Sequence, residues 1–323
     1  MANTQNQQGT QTSRAISALV LATIIWGAMF PVAKLILHDM DALTMTLLRY
    51  GIAAPIFLLM LAWREGWGAL RPQSTSGLSV WPVIGLGALG FAGFNLLMFY
   101  GIAQTKPEHG AVVMALQPLI AAMILWVRSG KRPVARSFVA LALAIAGVVL
   151  LVTDGEVTRL AEHAAVIPTL MMIAGGTCWV LYSTGAARYP NWSPLRYTAL
   201  TSTGGVLVLG LLWLIVGAAG GLRIPSASAM PGLLPALAYI TVLAAFLAVL
   251  CWNNGIRGIG AQNGMLFINV VPLTALVVGL LRGHPFGAWE LVGAALVLLS
   301  LVLNQVSLPQ RRAAVAGTRV ARV

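Results

Sequence analysis

Long apolar stretches, separated by short polar or Pro/Gly-rich connections, run along almost the whole chain. Each is close to the roughly 20 residues that an α-helix needs to cross about 30 Å of hydrocarbon. Ten of them cover residues 15–37, 42–63, 80–101, 111–127, 134–153, 166–187, 195–216, 233–254, 261–281 and 287–307. The pattern predicts an all-α integral membrane protein with ten transmembrane helices.

A set of short motifs recurs in the second half of the chain. Residues 100–102, 108–110 and 118 read YGI, EHG and P, and residues 254–256, 262–264 and 272 read NGI, QNG and P, each 154 positions later. Such an echo indicates a duplicated structural unit. Each half would hold five helices, an odd number, so the second copy would run upside down relative to the first. The expected architecture is two inverted five-helix repeats around a central cavity, as in many secondary transporters.

These patterns divide the chain into five parts. They predict a cytoplasmic N-terminal segment at 1–14, a first repeat at 15–153, an external linker at 154–165, a second repeat at 166–307 and a basic cytoplasmic tail at 308–323. Substrate groups are expected near the middle of the membrane, where the repeats meet.

Composition and charge fit a membrane protein. Of the 323 residues, 59% are hydrophobic and 9% are charged, a balance far from that of soluble domains. The net charge of +12 could suggest a nucleic-acid partner, but 14 of the 20 basic residues occupy the terminal segments and the even-numbered connections. The positive-inside rule then places both termini in the cytoplasm and makes the lipid bilayer the partner. The 14 are Arg14, Arg64, Arg71, Arg128, Lys131, Arg132, Arg136, Arg188, Arg196, Arg257, Arg311, Arg312, Arg319 and Arg322.

Metal, cofactor and enzyme chemistry find little support. Cys178 and Cys251 fall inside apolar stretches, where buried thiols are expected, and no ligand spacing of the CxxC or HxxxH kind occurs. An intramembrane enzyme acting on lipid would need paired carboxylates, a metal cluster or a Ser/Lys nucleophile at matched depth. The sequence therefore predicts no cofactor, no metal and no enzyme.

Amide and aromatic side chains supply the candidate substrate site. Mid-depth tryptophans are unusual, because most membrane tryptophans lie in interfacial belts, and amides can bind both a carboxylate and an ammonium group. Interhelical hydrogen bonding is the alternative role for each amide. With no fixed central charge expected, such a pocket would suit neutral or zwitterionic solutes. The candidates are Trp26, Asn95, Phe99, Gln117, Trp179, Tyr182, Asn253 and Asn269.

Two prolines interrupt equivalent helices. Pro118 and Pro272 lie inside the fourth and ninth stretches, and each removes one backbone donor and bends its helix. They are interpreted either as cavity-shaping or gating elements or as purely structural bends.

Few ionisable residues enter the apolar stretches, so each is a candidate for function. Lys34 and Arg49 are expected toward the external side, either paired with Asp39 or Asp41 or in contact with substrate or a gate. His109 and Glu290 are possible proton-carrying groups, with helix capping and solvation at the rim as the alternative.

Three short motifs resemble one transporter family. Residues 25–30 (IWGAMF) with Lys34, residues 48–50 (LRY) and residues 116–119 (LQPL) resemble the drug/metabolite transporter superfamily. More narrowly, they are similar to its EamA-type ten-helix exporters, including bacterial amino-acid exporters of the YddG kind. The resemblance implies inverted five-helix repeats and efflux of small metabolites from the cytoplasm.

The leading hypothesis is an exporter in the bacterial-type cytoplasmic (inner) membrane. It would move small neutral or zwitterionic metabolites, amino acids first among them and aromatic ones included, by alternating access. Efflux of multiple drugs or of other metabolites is the alternative, and a lipid-modifying enzyme is a distant third. A monomer is expected, since ten helices can enclose their own cavity.

Overall fold

The computed structural model of the protein describes residues 2–71, 80–130, 135–153, 155–156, 166–283 and 287–305. Every regular element within these ranges is helical. The helices, in chain order, are α1 (Ala2–Asp39), α2 (Ala42–Glu65), α3 (Trp81–Ala103), α4 (residues 107–129), α5 (Ala135–Thr153), α6 (Val166–Gly185), α7 (Pro194–Ala218), α8 (Met230–Ile259), α9 (residues 261–281) and α10 (Ala288–Gln305). Short 3₁₀ turns follow α2 at Trp67–Leu70 and α6 at Ala186–Arg188.

Among the described residues, seven helices are long and apolar enough to cross a membrane: α1 to α4 and α6 to α8. The apolar parts of α5, α9 and α10 are shorter, at Ser137–Leu150, Met265–Leu281 and Ala288–Ser300. Many leucine, isoleucine and valine side chains are exposed on the outer faces, as expected where lipid is the solvent. The fold is that of a multi-pass membrane protein, and ten crossings stay a prediction.

Helices α3 and α8 each contain a π-helical segment, at Ala88–Gly93 and Tyr239–Leu247. The two segments end 154 residues apart, which is the spacing of the sequence echo. A π segment disturbs the regular i→i−4 ladder and leaves backbone carbonyls open to other donors. Both helices therefore offer backbone acceptors deep in the bundle.

Helices α4 and α9 are also interrupted at equivalent positions. Helix α4 consists of Pro107–Met114 and Gln117–Ser129, and α9 passes through a 3₁₀ turn at Met265–Asn269. Pro118 and Pro272 lie in the first turn of the helical parts that follow these breaks. At that position a missing N–H costs little, because the first N–H groups of a helix have no partner within it.

The packing pattern is the same when the two halves are exchanged. Helix α1 packs against α8 and α9, and α6 packs against α3 and α4; α2 packs against α7, and α5 against α10. Exchanging α1 with α6, α3 with α8 and α4 with α9 reproduces these contacts.

Helices α1 and α8 run antiparallel. Ala15, early in α1, lies against Gly258 near the end of α8. Further along α1, Trp26 Nε1 donates to the Ala244 carbonyl, 3.1 Å away and earlier in α8. Their C-terminal ends therefore lie at opposite ends of the bundle.

Helices α6 and α8 run parallel. Trp252 Nε1 donates to Ser183 Oγ over 3.2 Å, and Arg257, one turn later in α8, reaches the Tyr189 carbonyl just beyond α6. Since α8 is antiparallel to α1, the first helices of the two halves also point in opposite directions.

Candidate functional site

Aromatic rings from both halves meet at the centre of the bundle. Trp26 of α1 and Trp179 of α6 make an edge-to-face contact with centroids 5.2 Å apart and an interplanar angle of 88°. Trp252 of α8 lies 5.3 Å from Trp26, and Phe94 of α3 lies 5.2 Å from Trp179. Such geometry is favourable for aromatic pairs, so the cluster joins the two halves by direct contact.

A small chamber adjoins this aromatic cluster. Its volume is about 10 Å³, which is roughly the space of one water molecule. The site is therefore closed in this conformation. The lining residues are Trp26, Met29, Arg49, Tyr50, Phe94, Asn95, Met114 and Trp179.

The charged residue of the chamber is Arg49 of α2, which is 1% exposed. Its Nε donates to the Ile240 carbonyl over 3.1 Å, and its Nη1 donates to Asn95 Oδ1 over 3.0 Å. Nη2 lies 3.3 Å from the Met29 sulfur, a weak acceptor. The rings of Tyr50 and Phe99 flank the guanidinium at 5.3 and 5.2 Å, within the range of cation–π attraction.

Of the two roles expected for Arg49, pairing with an aspartate is wrong, whereas contact with substrate or a gate stays a prediction. Its polar partners are on α1, α3 and α8 rather than Asp39 or Asp41. The chamber also contains a fixed positive charge, so it is not the neutral pocket that the amide and aromatic pattern predicted. The signal was available: Arg49 lies seven residues beyond the start of α2, which is about 10 Å into the helix.

The π segments explain how these side chains are held. Ile240 and Ala244, whose carbonyls accept from Arg49 and Trp26, both lie in the π segment of α8. Phe91, in the π segment of α3, accepts from Asn95 Nδ2 over 3.0 Å. The interrupted helices thus fix the chamber's polar groups through backbone acceptors.

A second polar cluster lies in the other half. Asn253 Nδ2 donates to Tyr182 Oη over 2.9 Å and to Thr198 Oγ1 over 2.7 Å. Tyr197 Oη donates to the Tyr182 carbonyl over 2.6 Å. All of these groups are neutral and buried, so Tyr182 and Asn253 are joined in a hydrogen-bonded network.

Three side chains at the aromatic cluster and the helix breaks contain buried polar atoms without a partner among the described residues. Both ends of the Gln117 amide, the indole N–H of Trp179 and the Asn269 side-chain oxygen have none. Gln117 lies one turn beyond Met114 of the chamber and packs beside Gly176, one turn before Trp179. Gln117 and Asn269 adjoin the equivalent interruptions of α4 and α9.

A cationic side chain holds the helix ends together at each end of the bundle. Lys34 Nζ donates to the carbonyls of Ile102, Ala103 and Thr105 over 2.8, 2.8 and 2.9 Å, beside an open pocket of about 760 Å³. At the opposite end, Arg257 donates to the carbonyls of Tyr189, Pro190 and Trp192, beside a pocket of about 160 Å³.

Glu290 and His109 lie together at the start of α10 and α4. Lys106 forms an ion pair with Glu290, whose other oxygen accepts from the Gly287 N–H over 2.9 Å. His109 is buried and close enough to Glu290 to interact with it electrostatically.

The structure sorts the predicted residues into groups. Trp26, Asn95 and Trp179 line the chamber, and Phe99 stands behind Arg49. Tyr182 and Asn253 belong to the second polar cluster, and Gln117, Asn269 and the two prolines adjoin the helix breaks. Lys34, His109 and Glu290 lie at helix ends. Sequence reasoning missed Met29, Tyr50, Met114 and Trp252 as parts of this site, because residues at a helical period do not reveal whether they face lipid or a cavity.

An all-helical bundle with a buried polar chamber between two similarly packed halves is the architecture of a membrane transporter. The chain belongs to the EamA-like transporter family, which matches residues 13–153 and 166–305. It is 30% identical over 298 residues to the uncharacterized transporter YrdR of Bacillus subtilis, covering 90% of this chain and 91% of that one.

Two further likenesses are informative. Protein PecM of Dickeya dadantii is 24% identical over 236 residues, covering 72% of this chain and 76% of PecM. A solved crystal structure of a protein matches with a TM-score of 0.66 at 17% identity, covering 94% of this chain and 99% of that one. At this identity the likeness shows the fold alone.

Proposed function

We propose that this transporter exports small zwitterionic metabolites, amino acids first among them, from the bacterial cytoplasm. The support is the set of unpartnered polar groups beside the aromatic chamber. The Gln117 amide is fully buried, and Trp179 is 1% exposed, yet both have polar atoms without partners. Each unmade hydrogen bond costs about 1–3 kcal/mol when buried. A solute that offers both donors and acceptors would remove this cost.

The aromatic cluster suits the same class of solute. The faces of Trp26 and Trp179 can pack against an apolar side chain and attract an ammonium group. A zwitterion combines such an ammonium group with hydrogen-bond acceptors in one small molecule. Solutes with an aromatic or branched side chain would use both properties of the chamber.

Alternating access would proceed by movement of two inverted five-helix repeats, with ten crossings and both termini in the cytoplasm. The opposite directions of α1 and α6 and the exchangeable packing support this arrangement. A chamber of about 10 Å³ cannot hold an amino acid, so the repeats must move apart to admit one. The breaks beside Pro118 and Pro272 are the expected places of bending. A monomer is part of the proposal, because ten helices of one chain can enclose their own cavity.

Counterflow in liposomes containing the purified full chain tests this proposal. Labelled neutral amino acids should accumulate against their unlabelled forms, and a pH gradient would show whether protons are coupled. Trp179→Ala should reduce the rate at least roughly tenfold, since it removes the chamber's central ring. Trp63→Ala is the matched control, because Trp63 is 81% exposed. Flux of lipophilic cations without amino-acid flux would instead favour multidrug efflux.

A further inference from the structure

We infer that Arg49 is the receptor for a carboxylate on the transported solute, with Asn95 as the residue that positions it. This inference rests on the proposed function only in taking the chamber as the transport site. It adds a specific recognition group to that site. It also replaces the neutral pocket expected from the sequence with one that selects for negative charge on the solute.

The first argument is the free energy that it costs to bury the charge of Arg49. Arg49 is 1% exposed and sits deep within α2. A charged side chain near the centre of a membrane helix costs at least about 2.5 kcal/mol even on permissive scales. A buried cation is therefore expected to have an anionic partner or a function.

No described carboxylate serves as that partner. Among the described side chains, Asp39 pairs with His38 and Glu290 pairs with Lys106. Asp41 caps α2 by accepting from the Thr44 N–H. The described carboxylates all lie at helix ends or in connections: Asp39, Asp41, Glu65, Glu156 and Glu290.

The neutral partners of Arg49 leave part of its hydrogen-bonding capacity unused. A guanidinium has five N–H donors, and three hydrogen bonds are present, to a carbonyl, an amide oxygen and a thioether sulfur. Two N–H groups therefore remain. A carboxylate accepts two parallel N–H bonds from one guanidinium and pairs with it far more strongly than a thioether does.

The partners of Arg49 also show how the site would open to a carboxylate. Met29 is flexible and holds Nη2 only weakly, so a carboxylate can displace its sulfur. Asn95 is anchored to the Phe91 carbonyl and keeps the guanidinium in place. The Nε contact to Ile240 fixes its other edge. The closed chamber is thus the substrate-free form, in which neutral groups of the protein partly satisfy the cation.

The test is thermal stabilisation of the purified full chain by four probes that share one side chain. Phenylalanine and 3-phenylpropionate contain a carboxylate, whereas phenylalaninamide and phenethylamine do not. At about ten times Kd, the two carboxylates should raise Tm by roughly 2–4 °C. The two other probes should not. Sodium phosphate is the fifth arm, and equal stabilisation by it would show a general anion site and overturn the inference.

Two variants locate the effect. Arg49→Gln should weaken carboxylate binding roughly 30-fold or more, and Arg64→Gln, at the exposed end of α2, is the control. Asn95→Asp covers the case in which Arg49→Gln fails to fold. Its carboxylate would take the place of an oxygen now 3.0 Å from the guanidinium, so the protein should stay folded and lose its response to both carboxylates.

The outcomes separate this inference from the proposed function. Stabilisation by 3-phenylpropionate without amino-acid counterflow would retain the carboxylate receptor and remove the amino-acid assignment. Amino-acid counterflow together with equal stabilisation by phenylalanine and phenylalaninamide would retain the amino-acid assignment and remove the carboxylate receptor. The inference is also overturned if neither carboxylate stabilises the protein, or if Asn95→Asp responds as the wild-type chain does.

Discussion

The two halves of this transporter build polar clusters from equivalent helices but give them different chemistry. In the first half, α1, α2 and α3 bring together Met29, Arg49 and Asn95. In the second half, α6, α7 and α8 bring together Tyr182, Thr198 and Asn253. Met29 and Tyr182 are 153 residues apart, within one position of the repeat spacing.

The first cluster is charged, incompletely satisfied and part of the chamber wall. The second is neutral and linked internally by short hydrogen bonds. Duplication therefore explains the packing, whereas the chemistry of the candidate site comes from the difference between the halves. We expect changes in the first cluster to affect recognition and stability together, and changes in the second to affect stability alone.

The largest effect is expected from Asn95→Leu. This substitution removes the one side-chain oxygen that accepts from Arg49 and leaves a buried charge with less compensation. Loss of one partner of a buried charge costs about 3–5 kcal/mol, so a large fall in Tm in detergent should follow. Asn95→Asp, which returns an acceptor at the same place, should recover the lost Tm. An unchanged Tm in Asn95→Leu would mean that the guanidinium does not depend on this amide.

Asn253→Leu is the same change in the neutral cluster and should cost less. It removes two donated hydrogen bonds, worth together about 1–2 kcal/mol. Tm should fall moderately, while the preference for carboxylate probes over phenylalaninamide should stay. Asn254→Leu is the control, because Asn254 is exposed and donates only within its own helix. A lost carboxylate preference in Asn253→Leu would contradict the division of roles.

The sequence predicts which helices correspond in the two halves and which tryptophans meet, but it does not predict the partners of Arg49. The repeat echo correctly paired equivalent helices, and the mid-depth position of Trp26 and Trp179 placed them in one region. For Arg49 the sequence left two roles open, and pairing with the nearby aspartates is wrong because sequence reasoning favours local partners. Its backbone acceptor, Ile240, is 191 residues away.

The backbone partner of Arg49 was missed for a physical reason. The Ile240 carbonyl belongs to a π segment, and no motif in an apolar stretch announces where a helix departs from its regular ladder. Met114 was missed for a similar reason, because it shares its apolar character with side chains that face lipid. Helix existence follows from composition, whereas the wall of a cavity follows from the angles and interruptions of helices far apart in the chain.

The two ends of the bundle are closed by similar contacts. Lys34 and Arg257 each hold neighbouring helix ends through backbone carbonyls, and they do so at opposite ends. Lys34→Met should speed maleimide labelling of Ala103→Cys roughly tenfold, since charged hydrogen bonds are worth about 1.5–3 kcal/mol each before solvent screening.

Arg257→Met should do the same for Ala187→Cys at the other end. Ala103 and Ala187 line the two end pockets, and a background without Cys178 and Cys251 makes the labelling specific. Each substitution should leave labelling at the opposite end unchanged or slower. Equal acceleration at both ends by either substitution would show general loosening rather than two separate closures.

The smallest effect is expected from Glu290→Gln. The Lys106 side chain is 57% exposed, and ion pairs with such exposure contribute only about 0.2–1 kcal/mol. The amide oxygen of glutamine can still accept from the Gly287 N–H, so the start of α10 keeps its contact. A double-mutant cycle with Lys106→Gln isolates the interaction between the two side chains, and their coupling energy should shrink in 1 M salt, where the screening length is about 3 Å.

Because the pair is a weak structural contact in this interpretation, counterflow driven by a pH gradient should remain within about twofold of wild type in Glu290→Gln. Loss of the pH-driven component alone would instead make Glu290 of α10, with the neighbouring His109 of α4, the proton-carrying group.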